Sequence, residues 1–151
     1  SNSMTDYRAV EELFAKKIKL LRQLHQYELD KQKAITKPDI DEAMRLQDAC
    51  AELYRLMQAL DQQMDALRPS IDVKAIPPAQ RERLQKLEDL MIDAGNQAYE
   101  INLQNQQILN EIMDAGQRHL DKLHRGRKAL AGYQKTMGPG KKPSRIFSGD
   151  I

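Results

Sequence analysis

Residues 40–68 read IDEAMRLQDACAELYRLMQALDQQMDALR, and this stretch decides the fold class. Its apolar side chains recur in alternating steps of three and four residues; they are Ala43, Leu46, Cys50, Leu53, Met57, Leu60, Met64 and Leu67. A heptad pattern of this kind predicts a helix that packs against other helices along a left-handed seam. Asp39, with Glu42 three residues later, is typical of the cap that starts such a helix. Cys50 lies on the seam, which indicates a small core residue rather than a nucleophile or a metal ligand.

A second helical pattern precedes this stretch, at about residues 6–36, and Thr5 is positioned to be its N-cap. Its apolar residues form a broad face, which indicates neighbours on more than one side. The members of that face are Val10, Leu13, Phe14, Leu20, Leu21, Leu24, Tyr27 and Ile35. The face is interrupted by three charged residues, Lys17, Glu28 and Lys31. Lys37–Pro38 then predicts a break, because the residue before a proline avoids the helical conformation.

A linker with three prolines, residues 69–79, leads into a third helical segment at about residues 79–136. The heptad positions of this segment are Leu84, Leu87, Met91, Ala94, Ala98, Ile101, Asn105, Ile108, Ile112 and Ala115. A buried Asn at a seam position such as 105 fixes the register of packing at some cost in stability. The segment is about twice as long as either of the others. It therefore either bends, near Gly95–Asn96 or near Gly116, or its far end protrudes.

These patterns predict an all-α fold, an antiparallel helical bundle or coiled coil of two helices of about 30 residues plus one long C-terminal helix, straight or bent. The predicted domain is a single helical unit over residues 4–136. Ser1–Ser3, ahead of Met4, is interpreted as an expression-tag remnant. From Gly138 the chain reads GPGKKPSRIFSGDI, which predicts a flexible basic tail over residues 137–151. Its apolar pair, Ile146–Phe147, is a candidate docking motif.

The composition argues against a sheet protein and against catalysis. The 151 residues include no Trp, two Phe and seven Gly, so β-formers and phosphate-binding glycine loops are scarce. His119 and His124 are five residues apart and fall on different helical faces, which does not fit a metal site. We therefore expect no enzymatic activity, no cofactor and no metal. No run approaches about 18 consecutive apolar residues, so no integral membrane segment is predicted, and the single cysteine is compatible with the cytosol.

The small net charge of +2 hides an uneven distribution. Residues 88–117 contain no Lys or Arg, whereas residues 118–145 contain nine and only one acid, Asp121. In this basic region the apolar stripe changes phase and continues as Leu120, Leu123, Leu130, Tyr133 and Met137. The pattern predicts a basic amphipathic helix that binds an acidic or helical partner, or else a solvated end whose charges complement the helix dipole. Nucleic acid is not a predicted partner, because Tyr133 is the only aromatic residue among the basic ones.

The chain resembles the FlgN-type flagellar export chaperones in the order of its elements. It has two N-terminal helices, a proline-bearing linker and a long helix that contains Asn102-x-x-Asn105-x-x-Ile108-Leu109. In that family the long helix commonly ends in a tyrosine, followed by a glycine and a polar tail. Tyr133 and Gly138 occupy these places here, and Ser144–Phe147 lies in the tail. The resemblance covers nearly the whole chain.

The resemblance implies a cytoplasmic chaperone that binds hook-associated proteins of the hook–filament junction. Such a chaperone keeps them unpolymerised and delivers them to the flagellar type III export gate. In the family the cargo binds the C-terminal amphipathic region, which corresponds here to Leu120, Leu123, Leu130 and Tyr133. The family tyrosine also implies that Tyr133 docks to the export gate. Disordered amphipathic cargo termini suit an unfilled apolar helix stripe, and no ATP is required.

A different class of function is compatible with the same stripe. In this alternative the chain is a self-assembling coiled-coil structural or adaptor protein without a secretion cargo. The stripe would then pair with its own copy in a homo-oligomer, since a protruding apolar stripe needs a partner. Substitutions in the stripe separate the alternatives, because they would remove cargo binding in one case and dissociate an oligomer in the other.

Overall fold

A computed structural model describes residues 3–114, 127–128, 131–132 and 145–147, with side chains from Tyr7 onward. Three long helices make up most of it: α1 (Ser3–Thr36), α2 (Ile40–Leu67) and α3 (Pro78–Asp114). The linker between α2 and α3 contains two short 3-10 turns, Arg68–Ser70 and Val73–Ala75. No strand occurs within these described ranges, and the helices pack against one another. The predicted all-α bundle is confirmed.

Contacts between side chains give the direction of each helix. Lys17 of α1 forms a salt bridge with Asp61 of α2, and Lys31 Nζ donates to Gln47 Oε1 at 2.7 Å, so α1 and α2 are antiparallel. Near the start of α3, the Arg83 guanidinium lies 3.0 Å from Glu11 of α1. Further along the same two helices, Gln32 bonds to Gln104 at 3.1 Å. α3 therefore runs parallel to α1, and α1 packs along both of the other helices.

The sequence-based prediction of the N-cap is confirmed for α2 and wrong for α1. Asp39 is the N-cap of α2, and its carboxylate accepts the Glu42 N–H at 3.1 Å, as predicted. The predicted N-cap of α1 is wrong, because the helix already begins at Ser3 and Thr5 lies inside it. Neither glycine nor proline precedes Thr5, so nothing in the sequence stops the helix from extending one turn further.

The seam of α2 is fully buried only in its first half. Ala43, Leu46, Cys50, Leu53 and Met57 are buried. The last three members, Leu60, Met64 and Leu67, are half-buried. At this end of the bundle the predicted linker contributes to the core, because Ile76 is 4% exposed and packs in one cluster with Val10 and Leu84. The linker therefore closes the end of the bundle at which α1 begins.

The buried face of α3 drifts along the helix. Leu84, Ala94, Ala98 and Asn105 are buried as the heptad predicts, but toward the end the buried residues are Asn102 and Leu109 rather than Ile101 and Ile108. A shift of one position is expected, because an ordinary helix has 3.6 residues per turn and drifts about 20° per heptad from a strict 3.5-residue repeat.

The third helix continues through Gly95 without a break. α3 is unbroken from Pro78 to Asp114. Beyond it, the Arg127 guanidinium donates to the Asn110 side chain. The predicted bend at Gly95–Asn96 is therefore not found, and the predicted bend near Gly116 lies outside the described residues.

Candidate functional site

A layer of polar side chains crosses the middle of the bundle. At its centre is Glu28 of α1, which is 0% exposed. The Glu28 carboxylate forms a salt bridge with Lys31 and accepts the Asn102 amide of α3 at 2.8 Å. Lys31 in turn donates to Gln47 of α2, so the layer joins all three helices. Two of the three charged residues that interrupt the apolar face of α1, Glu28 and Lys31, therefore belong to a hydrogen-bonded network inside the core, whereas Lys17 pairs with Asp61.

Asn105 belongs to the same layer and lies on the seam, as predicted. It is 0% exposed, and its amide donates to the backbone carbonyl of Glu28 at 2.8 Å. Its Oδ1 has no hydrogen-bond partner among the described residues. An apolar side chain at position 105 could not make this hydrogen bond. A shift of α3 along α1 would break the bond between the Asn105 amide and the Glu28 carbonyl. The layer thereby favours one register of the two helices.

Cys50 is a core residue, which confirms its prediction from the seam. It is 0% exposed, and its thiol donates to the Glu28 carboxylate at a sulfur–oxygen distance of 3.6 Å. Burial, followed by the negative charge of Glu28, raises the pKa of the Cys50 thiol. Both effects disfavour the thiolate, which is the reactive form of cysteine.

We expect Cys50 to be unreactive toward thiol reagents until the chain unfolds. The measurement is the rate of labelling by a chromogenic disulfide at pH 8 across a urea titration, with free cysteine as the reference thiol. The labelled fraction should follow the unfolded fraction determined by circular dichroism. Rapid labelling of the folded chain at the rate of free cysteine would contradict the burial of this residue.

A second polar site lies on α3, where Glu88 binds a segment from the far end of the sequence. Glu88 is 1% exposed. Its carboxylate accepts the backbone N–H of Ile146 at 2.8 Å and that of Phe147 at 3.3 Å. The neighbouring acid, Asp89, lies 3.3 Å from the Arg145 guanidinium. Residues 145–147 belong to the predicted flexible tail, and these three are in contact with the bundle.

The Phe147 side chain enters the core beside this carboxylate. It is 2% exposed and meets Phe14 edge-to-face, with ring centroids 6.1 Å apart. Its cluster also contains Ile76 of the linker and Leu84 of α3. Aromatic pairs in this geometry contribute about 0.5–1.5 kcal/mol beyond the burial of their surface. The site therefore combines a buried carboxylate with an aromatic pocket.

A cavity of about 500 Å³ adjoins the docked segment. It lies where the seam of α2 opens, and Ile146 forms part of its wall. Its apolar lining comes from all three helices and includes Leu13, Leu60, Met64, Met91 and Ile92. Charged residues, among them Lys17, Asp61 and Arg68, also line it. Such a mixed lining suits an amphipathic peptide better than a fully apolar ligand.

The structure does not describe the residues predicted from the C-terminal stripe. Leu120, Leu123, Leu130 and Tyr133 lie outside the described residues, as do His119 and His124. Residues 127–128 and 131–132, which fall between them, are helical. The role of the stripe in binding therefore stays a prediction, as does the assignment of residues 137–151 as a whole to a flexible tail.

Sequence reasoning missed the site at Glu88. Glu88 is only the first residue of the stretch 88–117 that lacks Lys and Arg, although it lies next to the seam position Leu87. Among the described residues, no group of three or more His, Cys, Asp or Glu side chains is arranged to hold a metal ion. Within the same residues, no helix combines the length and the apolar character needed to span a membrane.

Comparison with known proteins identifies one family. The family model described as "FlgN protein" matches residues 4–139. The match covers α1, α2, the linker and α3, and continues through the predicted stripe. No curated protein and no solved structure matches the chain.

Proposed function

The chain belongs to the FlgN family of flagellar export chaperones, and we propose that its cargo is the hook-associated proteins of the hook–filament junction. It binds them in the cytoplasm through its C-terminal stripe, keeps them unpolymerised and delivers them to the flagellar type III export gate. The residues that bind are Leu120, Leu123, Leu130 and Tyr133. Tyr133 is also the proposed docking point at the gate.

The family match is the observation that carries this proposal. It spans residues 4–139 and therefore includes the whole stripe from Leu120 to Tyr133. The charge pattern supports it, because nine basic residues accompany the stripe between residues 118 and 145. A basic amphipathic helix can bind a disordered amphipathic terminus by laying its apolar face against it.

The mechanism that follows from this proposal is passive. Cargo is held by burial of apolar surface, so binding needs no ATP and no cofactor, and the chain is not an enzyme. Release at the gate requires only that a competing contact, which we assign to Tyr133, weakens the hold on the cargo. Because affinity among related complexes is set mostly by the dissociation rate, a small loss of contact is enough to release the cargo quickly.

Co-expression with individual hook-associated proteins tests the proposed cargo. We expect the affinity-tagged chain to retain one or more of them through extensive washing, at a fixed stoichiometry. The control is the chain with Leu123→Asp and Leu130→Asp, which should retain none. Equal recovery with both chains, or no recovery with either, would contradict the proposal.

A further inference from the structure

Three consecutive residues of the tail are described, 145–147, and each of them meets a different feature of the bundle. The Arg145 guanidinium faces Asp89 at 3.3 Å. Ile146 donates its backbone N–H to Glu88 and is part of the cavity wall. Phe147 donates a second backbone N–H to Glu88, and its ring packs edge-to-face against Phe14. Each of these three residues therefore contributes to recognition.

The Glu88 carboxylate restricts the backbone conformation of a peptide segment that binds to it. Two consecutive backbone N–H groups reach it, and residues inside a helix use these groups for their own hydrogen bonds. The residues that occupy the site here, 145–147, are not helical, so the site accepts a non-helical segment. Because backbone N–H groups are common to almost every sequence, the side chains provide the specificity: a basic residue opposite Asp89 and an aromatic ring against Phe14.

The docked segment does not fill the space available to it. The cavity of about 500 Å³ continues past Ile146 toward α2, between Leu60 and Met91. An internal segment that served only to complete the core would be expected to leave little empty space, since protein interiors are close-packed. The open space beside Ile146 leaves room for a longer or bulkier segment than the one that occupies the site here.

We propose that the Glu88 pocket is a peptide-binding site for a non-helical segment with a basic, an aliphatic and an aromatic residue in that order. The chain's own Arg145–Phe147 occupies it in cis, and a partner segment of the same chemistry displaces it. The site is formed by residues other than Leu120, Leu123, Leu130 and Tyr133, and its test needs no cargo. Failure of this proposal would therefore leave the proposed function untouched.

The probe is a fluorescein-labelled peptide, KKPSRIFSGDI, which reproduces residues 141–151. Its binding to the full chain is followed by fluorescence anisotropy. We expect it to bind the Phe147→Ala chain, in which the pocket is vacated. The wild-type chain should bind it at least tenfold more weakly, because a linked segment competes at an effective concentration on the order of millimolar.

Matched variants assign the binding to Glu88. In the Phe147→Ala chain, Glu88→Gln should weaken peptide binding at least tenfold, since the amide keeps the shape but loses the charge that both N–H groups face. Glu100→Gln, an exposed acid on the same helix, should leave the affinity unchanged. A peptide with alanine in place of Phe147 should not bind. No binding to the folded Phe147→Ala chain, or equal binding to it and to the wild type, would overturn the proposal.

A second variant keeps the test valid if Phe147→Ala melts below the assay temperature. Arg145→Asp leaves the aromatic pocket filled but places a carboxylate beside Asp89, which weakens the docking of the chain's own segment. We expect the peptide to bind this chain at least threefold more tightly than the wild type. An affinity equal to that of the wild type would contradict displacement of the tail.

Discussion

Replacing Glu28 by alanine should lower the free energy of unfolding by about 3–5 kcal/mol, the cost of removing one partner from a buried ion pair. Glu28 is 0% exposed and Lys31 is 2% exposed, so the lysine cannot reach water when its carboxylate partner is lost. The same substitution removes the acceptor of the Asn102 amide and of the Cys50 thiol. Chemical denaturation with urea, followed by circular dichroism, measures the loss.

Two further variants distinguish the cost of leaving the buried Lys31 without its carboxylate from the cost of shortening a glutamate side chain. Glu12→Ala shortens an exposed acid on the same helix and should change the free energy of unfolding by less than about 0.5 kcal/mol. Adding Lys31→Met to Glu28→Ala removes the unpaired charge and should restore part of the lost stability, since apolar replacements of a buried pair are often tolerated. Equal losses for Glu28→Ala and Glu12→Ala would contradict the account of the polar layer.

Replacing Leu123 and Leu130 together by aspartate should abolish cargo binding, with a loss of affinity of at least a hundredfold. Each substitution places a charge on the proposed binding stripe, where it would have to be desolvated against an apolar cargo segment. Isothermal titration calorimetry against a purified hook-associated protein measures the affinity. We expect the melting temperature and the oligomeric state of the free chain to remain those of the wild type.

The control for the variant with Leu123→Asp and Leu130→Asp carries two leucine-to-aspartate changes at exposed positions outside the stripe. Leu56 and Leu103 are 45% and 39% exposed on α2 and α3, and their replacement by aspartate should leave cargo affinity within about twofold. If Leu123→Asp with Leu130→Asp instead unfolds the chain or dissociates an oligomer, the stripe is structural. The alternative of a self-assembling coiled coil would then be favoured.

The helical bundle could be predicted from the sequence because the signals for its helices, heptad spacing and helix caps, are periodic or local. The heptad from Ala43 to Leu67 is enough to identify α2, and the Asp39 cap marks its first turn. The start of α1 was misplaced because Thr5 is equally compatible with a cap and with a helix interior. The hydrogen bond from Arg127 to Asn110 joins residues 17 positions apart, and the heptad spacing could not predict it.

The polar sites were only partly predictable for the same reason. Asn105 could be identified because a polar residue on an apolar seam is conspicuous. Lys17, Glu28 and Lys31 were visible as interruptions of an apolar face, but their partners on other helices were not. The contact of Glu88 with Phe147 joins residues 59 positions apart through a backbone N–H, and no pattern of side chains encodes that bond.

The central claim, that the chain is a chaperone for hook-associated proteins, is tested most directly by the state of the cargo. The measurement is the sedimented fraction of a purified hook-associated protein under conditions in which it polymerises alone, with and without the chain at equimolar concentration. We expect the wild-type chain to keep the protein in the supernatant and the variant with Leu123→Asp and Leu130→Asp to leave it in the sediment. Equal sedimentation with the wild-type chain, with the variant and with no addition would contradict it.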